Sequence, residues 1–381
     1  MASGSERRLL ERLYRAALAG ADPEAAVLRA LGEARIERAL AGARRVGAFA
    51  AGKAAAGMAR AALAALGPVP FLAVLPRGHP ARGLARSAVA FAAHPEPDVS
   101  SVAAARRALR FFARFGEGDA ILCLISGGAS SLLALPRPGL TLAAKRRAVR
   151  ALSDSGASIL AVNLLRASLS AVKAGRLGRS TRARLITLAL SDVPGDRAAA
   201  VGSGPTVRGA RGDLVSIVAS NAAGLAAAAR EARRGGLAVV REGARLAGES
   251  AAAGRRLARR ARGLAPGTLL LAGGETVVTL GSALGRGGRC LEIAAGAARE
   301  LAGSSGITVL AAGSDGRDGS SGAAGAFADG VTADRARRER LELEDILERH
   351  DTRRLFARLG GLFVTGPTGG NVGDWVFVFR R

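Results

Sequence analysis

Short apolar runs that each end in a glycine-rich polar turn set the strongest limit on what this chain can fold into. Ala120–Ile125 is closed by Ser126-Gly127-Gly128 and Arg184–Leu190 by Ser191-Asp-Val-Pro-Gly-Asp196. Leu269–Ala272 is closed by Gly273-Gly-Glu-Thr276 and Ile307–Ala312 by Gly313-Ser-Asp-Gly316. Apolar runs this short, bounded by turn residues, read as buried strands. Arg45–Ala50 and Phe71–Leu75 read the same way near the start, as do Leu362–Thr365 and Trp375–Phe379 near the end, and Val277–Leu280 is a further apolar run. Helical stretches lie between them: Glu6 to about Leu40, broken at Gly20-Ala-Asp-Pro23, then Ala54–Leu66 and Cys290–Leu301. Asp22 can cap the helix that Pro23 begins. Strands alternating with helices predict βαβ units and a mostly parallel sheet.

At 381 residues, 49% of them hydrophobic, the chain exceeds one core and can bury two. The soft boundary between 225 and 245 is placed at 238/239, giving domains 1–238 and 239–381. Only Cys123 and Cys290 are present, which excludes a disulfide framework and a cysteine zinc site and suggests a reducing, cytoplasmic setting. The amphipathic start lacks the apolar core of a signal peptide, and no run is long and apolar enough to predict a membrane span. A formal charge of +25 raises the question of a nucleic-acid partner, but aromatic residues are 3% and the basic residues are dispersed, so a solvated arginine-rich surface is the better reading.

Arginine is everywhere, while there are three lysines (Lys53, Lys145, Lys173), three asparagines (Asn163, Asn221, Asn371) and no glutamine. Where a surface tolerates either cation this composition uses arginine. A surviving lysine therefore marks a place that needs a compact ammonium, and Lys53 and Lys173 stand out.

Ligands of open parallel sheets bind beyond the carboxyl ends of the strands, where the glycine-rich turns fall. Ser126-Gly-Gly-Ala-Ser130-Ser131 offers backbone N–H groups to a phosphate or carboxylate, with the next helix N-terminus adding positive potential. It is not a Walker A loop, since no Gly-Lys-Ser/Thr follows at the required spacing. Asp192 and Asp196 place two carboxylates on one strand-end turn, where Mg²⁺ on nucleotide phosphates could be held; ordinary turn chemistry is the alternative. Gly202-Ser203-Gly204-Pro-Thr206 supplies another anion-friendly backbone. Gly285-Arg-Gly287-Gly288-Arg289 sets guanidinium groups in a loop that opens a helix, a clamp for phosphoryl oxygens. Asp315 and Asp318 lie in a further glycine-rich turn. His94, in His-Pro-Glu-Pro-Asp98, reads as a structural histidine, with a general base as the alternative.

In order along the chain, these pieces resemble the glycerate 2-kinase family, whose C-terminal part is the MOFRL domain. The matching stretches include Gly52-Lys53-Ala54, His94–Asp98, Leu124–Ser131, Asn163 with Arg166, and Lys173 with Gly175-Arg-Leu177. Further on come Ser191–Asp196, Gly202–Thr206, Gly273–Thr276, Gly287-Gly-Arg289, Ser314–Gly319, and Thr365–Gly369 with Asn371. The resemblance implies a Rossmann-like three-layer α/β N-terminal domain, a smaller α/β MOFRL domain and an active site in the cleft between them. It implies ATP- and Mg²⁺-dependent phosphorylation of D-glycerate at the 2-hydroxyl, and allows for a homodimer.

By the same resemblance Lys53 and Arg289 are the catalytic candidates. Ser126, Gly127, Gly128, Ser130, Lys173, Gly202, Ser203, Gly204, Thr206, Gly287 and Gly288 would handle nucleotide or phosphate. Arg166, Glu275 and Asn371 would hold the acid, and Asp192, Asp196 and Asp315 the metal. Departures from the family pattern are Ala167-Ser168 in place of a basic pair, Lys173-Ala174-Gly175 for Lys-Gly-Gly, Arg289-Cys290-Leu291 for Arg-Asn-Gln, and a shortened stretch after Thr206. Two other classes stand as alternatives: an NAD(P)-dependent hydroxypyruvate reductase, against which no Gly-x-Gly-x-x-Gly follows the first strand, and a non-catalytic basic binding protein.

Overall fold

A computed structural model describes residues 4–157, 159–243, 245–281 and 285–381. Twelve strands run β1 Val46–Ala51, β2 Phe71–Pro76, β3 Val89–Ala92, β4 Ala120–Ile125, β5 Arg184–Ser191, β6 Leu214–Ser220, β7 Ala238–Arg241, β8 Thr268–Gly274, β9 Ile307–Gly313, β10 Gly325–Asp329, β11 Leu362–Phe363 and β12 Asp374–Arg380. They form two six-stranded sheets, each within its own compact unit.

The first unit, Asp22–Ser220, holds the order β3-β2-β1-β4-β5-β6, with all five pairings parallel. Parallel strands must be covered on both faces, and the burial follows that requirement. All six residues of β4 are buried. Phe49, Ala51, Ile121, Cys123 and Ile125 share a core with the helix Val99–Phe112, while the alternating Ala48, Ala50, Leu122 and Leu124 are buried on the other face. The order reverses between β1 and β4, which is the switch point where α/β sheets bind ligands.

The second unit joins the helix Gly4–Gly20 to Asn221–Arg381. Its sheet has the order β11-β10-β9-β12-β8-β7; β7 and β8 are parallel and the other four pairings antiparallel. The parallel sheet expected for the first unit is present, and the second unit is mixed because β12 returns between β8 and β9. The packing division falls at Ser220/Asn221 rather than 238/239. The reason is local: the helix Asn221–Arg234 lies against Gly4–Gly20 and β8. Tyr14 of the first helix packs edge-on against Phe363 and Trp375 and donates its hydroxyl to the Gly313 carbonyl at 2.8 Å. Asn221 donates to the carbonyls of Val372 and Asp374, both at 3.0 Å, which gives this rare asparagine a structural task.

Helix Arg289–Leu301 is held by a close crossing with Ser250–Arg262. A Cβ on Gly254 would lie 2.0 Å from the Ile293 carbonyl oxygen, and one on Gly296 would lie 2.1 Å from that of Ala251. Asp22 caps Pro23–Leu31 as expected, accepting from the Ala25 N–H at 2.7 Å, but a second break at Gly32-Glu33 makes three helices of the first forty residues rather than two. Val277–Leu280 is not a strand: Val277 makes one isolated bridge to Glu249, and Val277 and Leu280 are exposed. Among the described residues no helix is long and apolar enough to cross a membrane.

Candidate active site

In the parallel unit the sequence candidates gather at the switch point. Lys53 follows β1 and its N–H donates to the Gly127 carbonyl after β4 at 2.8 Å. The Ser126 hydroxyl, buried, accepts from the Ala54 N–H at 3.1 Å. These bonds hold the two strand-end turns so tightly that only glycine fits. A Cβ on Gly52, whose φ is 129°, would lie 2.2 Å from Ser126 Oγ. One on Gly127 would lie 2.0 Å from Asp192 Oδ2, and one on Gly128 would lie 3.2 Å from His94 and 3.3 Å from Lys53 Cγ.

The ends of β1, β4 and β5, with the turn after β3, therefore bring Lys53, Gly127, Gly128, Asp192 and His94 into one neighbourhood. The N–H groups of Gly127 and Gly128 make no hydrogen bond within the chain among the described residues, so the turn can receive an anion. The helix that follows, Ala129–Leu132, has only four residues and adds little dipole, so the backbone nest carries the potential rather than the helix expected from sequence. Lys53 makes no ion pair among the described residues. Burial, and after it the neighbouring Lys53 and His79, lower the His94 pKa and so favour the neutral imidazole. Sequence alone points to a structural role for His94; its place beside Lys53 and Gly128 depends on the fold.

A second group of candidates is laced to the same turn. Lys173, buried, donates its ammonium to the Ser130 carbonyl at 2.5 Å and to the Ser130 hydroxyl. Ser130 and Ser203 hydroxyls are 3.0 Å apart. The Ala174 and Gly175 N–H groups donate to the carbonyls of Ser203 and Gly204. Gly202 approaches Ala129 so that a Cβ would lie 2.7 Å from the Ala129 methyl. Ala174 sits at φ 51°, a left-handed conformation that explains a glycine at this position in the family pattern. Thr206 is placed elsewhere than expected. It is buried with its hydroxyl accepting from Thr187 of β5 at 3.0 Å, inside the sheet rather than at its ligand-facing end.

Asp196 has φ 47° and one buried carboxylate oxygen with no hydrogen-bond partner among the described residues, as a cation or its bound water would require. No three carboxylates, histidines or cysteines cluster as a metal cage among the described residues. Magnesium on nucleotide phosphates is usually held by one or two carboxylates, so Asp192 and Asp196 fit that mode. Asp315 lies in the other unit, where it accepts from the Arg317 N–H.

In the mixed unit Arg289 opens its helix between two carboxylates. Its Nε and Nη2 donate to Asp374 at 2.9 and 3.3 Å, and its Nη1 to Glu275 at 2.6 Å. Asp374 is buried and Glu275 half exposed. The desolvation that burial imposes on Arg289 is outweighed by these carboxylates, so its pKa is raised and the charge is permanent. The outer bond to Glu275 is the one an incoming oxyanion can replace, while buried Asp374 keeps the fork aimed.

Asp374 starts β12 without any motif, which is why the sequence missed it. Gly287 and Gly288 meet a structural need, since a Cβ would lie 2.3 Å from Thr352 Oγ1 and 2.4 Å from the Asp318 carboxyl carbon, respectively. The Asp318 carboxylate accepts from the N–H groups of Cys290 and Leu291, both at 2.9 Å. The first N–H groups of this helix are thus already capped by Asp318, which leaves the Arg289 side chain as the group there that can meet an anion. Asn371 accepts from the Gly373 N–H at 3.3 Å on the loop before Asp374, and Val372 donates to Ser314 Oγ at 2.8 Å. Arg166 donates to Asn163 at 3.2 Å on Ile159–Ser168.

Burial pushes the Asp318 pKa up to about 7 against its two backbone donors. An acid whose folded pKa lies above its unfolded value near ~4 binds more protons when folded, so its contribution to stability is lost as pH rises between those values. Asp318→Asn should therefore flatten the fall of melting temperature across that window. An unchanged slope in differential scanning calorimetry would assign the effect to other groups.

Two family models match successive parts of the chain. Residues 9–234 match the domain of unknown function DUF4147, and residues 268–374 match the MOFRL family. The fold and this pairing define the class as a two-unit α/β protein of the DUF4147–MOFRL type. A protein of Pyrococcus horikoshii named glycerate 2-kinase is 33% identical over 86% of this chain and 86% of its own length. The crystal structure of a glycerate kinase from Thermotoga maritima superposes with a TM-score of 0.88 at 30% identity, covering 99% of this chain and 100% of that one. A protein of Agrobacterium vitis provisionally named hydroxypyruvate reductase is 37% identical over 97% of this chain and 93% of its length. The chain belongs to the glycerate 2-kinase family.

Proposed function

We propose that this chain is a kinase that transfers the γ-phosphoryl group of ATP to the 2-hydroxyl of D-glycerate. The observation that carries this reading is the switch point of the parallel sheet, where Lys53, the Gly127-Gly128 turn and the Asp192 carboxylate lie together. Phosphoryl transfer asks little covalent chemistry of a protein and much positioning and charge stabilisation, which these groups supply. In this reading the Gly127-Gly128 turn and the Ser130–Ser203 pair hold phosphate oxygens, and Lys53 and Arg289 neutralise charge on the transferring phosphoryl. His94 can accept the hydroxyl proton. Arg166, Glu275 and Asn371 are assigned to the acid, and Asp192 with Asp196 to magnesium. When bound, magnesium would neutralise and orient the phosphate oxygens.

A Rossmann-type reductase holds its dinucleotide ribose with an acid about 20 residues beyond a glycine-rich first turn; here β1 runs instead into Gly52-Lys53. Coupled detection of ADP from ATP and D-glycerate should give turnover dependent on both substrates. Oxidation of NADH by hydroxypyruvate with no ADP formed would overturn the kinase reading.

A further inference from the structure

Helix Leu142–Asp154 carries six basic or polar residues among its thirteen, and its single buried residue is Lys145. Buried positions on an amphipathic helix are normally apolar, because an ammonium removed from water without a partner is strongly destabilised. Lys145 is 5% exposed, and its Nζ is buried with no hydrogen-bond partner among the described residues. The charges that act on it are Arg166, on the next helix, and Arg176. Those that act on buried Lys173 are Lys145 and Arg166.

Among the described residues, the charges that act on Lys145 and Lys173 include no carboxylate. Arg176 is committed as a brace, donating to the carbonyls of Ala167, Ser170 and Lys173. Lys173 is tied to Ser130 of the Ser126–Ser131 turn, so the cluster adjoins the candidate site rather than standing apart from it. Lys145 is also one of only three lysines in an arginine-rich chain.

We propose that Lys145, Lys173 and Arg166 form an oxyanion pocket, completed by a carboxylate or phosphoryl group of a bound ligand that supplies the missing negative charge. The inference deepens the kinase reading and rests on it for the two candidate anions, the carboxylate of the hydroxy acid and the phosphates of the nucleotide. Burial together with Arg166 and Arg176 pushes the Lys145 pKa down to about 8, as expected for a cation still waiting for its counter-charge.

The test uses the full chain and its Lys145→Met and Lys145→Arg variants, with calorimetric titration of D-glycerate in one arm and inorganic pyrophosphate in the other. Lys145→Met should weaken one arm by about tenfold or more, and Lys145→Arg should restore most of it, while the ligand-free melting temperature of Lys145→Met stays level or rises. Loss confined to D-glycerate assigns the pocket to the carboxylate, and loss confined to pyrophosphate assigns it to phosphate. Should the methionine variant fail to fold, Lys145→Gln is read in the same way. Binding within about twofold of the parent in both arms would overturn the pocket.

Failure of the two readings is distinguishable. Normal phosphorylation of D-glycerate with unaltered binding in Lys145→Met removes the pocket and keeps the kinase. Lost anion binding in Lys145→Met, in a parent that never phosphorylates D-glycerate, keeps the pocket and removes the kinase.

Discussion

Arg289→Lys should lower kcat by roughly two to three orders of magnitude, the range that follows loss of one preorganised charge-stabilising donor. The substitution keeps the charge and removes the fork. Arg289 uses two nitrogens on buried Asp374 and a third on Glu275, and a single ammonium cannot hold that aim while facing a phosphoryl group. KM for ATP should change far less than kcat, since the interaction lost is made chiefly in the transition state. A variant that also unfolds would mislead, so a thermal melt belongs beside the kinetics. Near-normal kcat in a folded Arg289→Lys protein would remove Arg289 from the chemistry.

The second large effect is on stability. Gly52→Ala puts a methyl 2.2 Å from Ser126 Oγ and 2.5 Å from the Ser126 carbonyl, at a backbone φ of 129°. Overpacking costs about 1–3 kcal/mol and left-handed strain at a non-glycine residue about 1–3 kcal/mol. Together they should destabilise the parallel unit by about 2–6 kcal/mol, read as a drop in melting temperature of roughly 4–24 °C for a unit of this size. Relief is blocked because Ser126 is fixed by bonds to Ala51 and Ala54. A melting temperature within about 2 °C of the parent would show that the two turns are looser than this geometry requires.

Much of this architecture is legible in the sequence. Short apolar runs located β1, β2, β4, β5, β8, β9, β11 and β12, because a buried strand shows its burial in nearly every residue. The strands passed over were short or two-sided. β6 and β7 are only partly buried, β3 is a four-residue edge, and β10 is built of small residues that read as a loop. The membership of Gly4–Gly20 in the second unit was invisible, since amphipathicity shows that a helix has a buried face but not which core receives it. Motif residues at the switch point came together because the chain reversal between β1 and β4 dictates it. Asp374, Asp318 and Lys145 were passed over as site residues for the opposite reason: their importance lies in what they face, and no local spacing records that.

The central claim is phosphoryl transfer from ATP to a hydroxy acid, and ³¹P NMR of one reaction mixture tests it most directly. With ATP, Mg²⁺ and D-glycerate, the account predicts that the γ-phosphate resonance decays while the resonance of 2-phosphoglycerate grows in equal amount. Appearance of 3-phosphoglycerate instead would correct the position of transfer. ATP resonances unchanged over a time course, with protein shown to be folded and to bind ATP, would contradict the account.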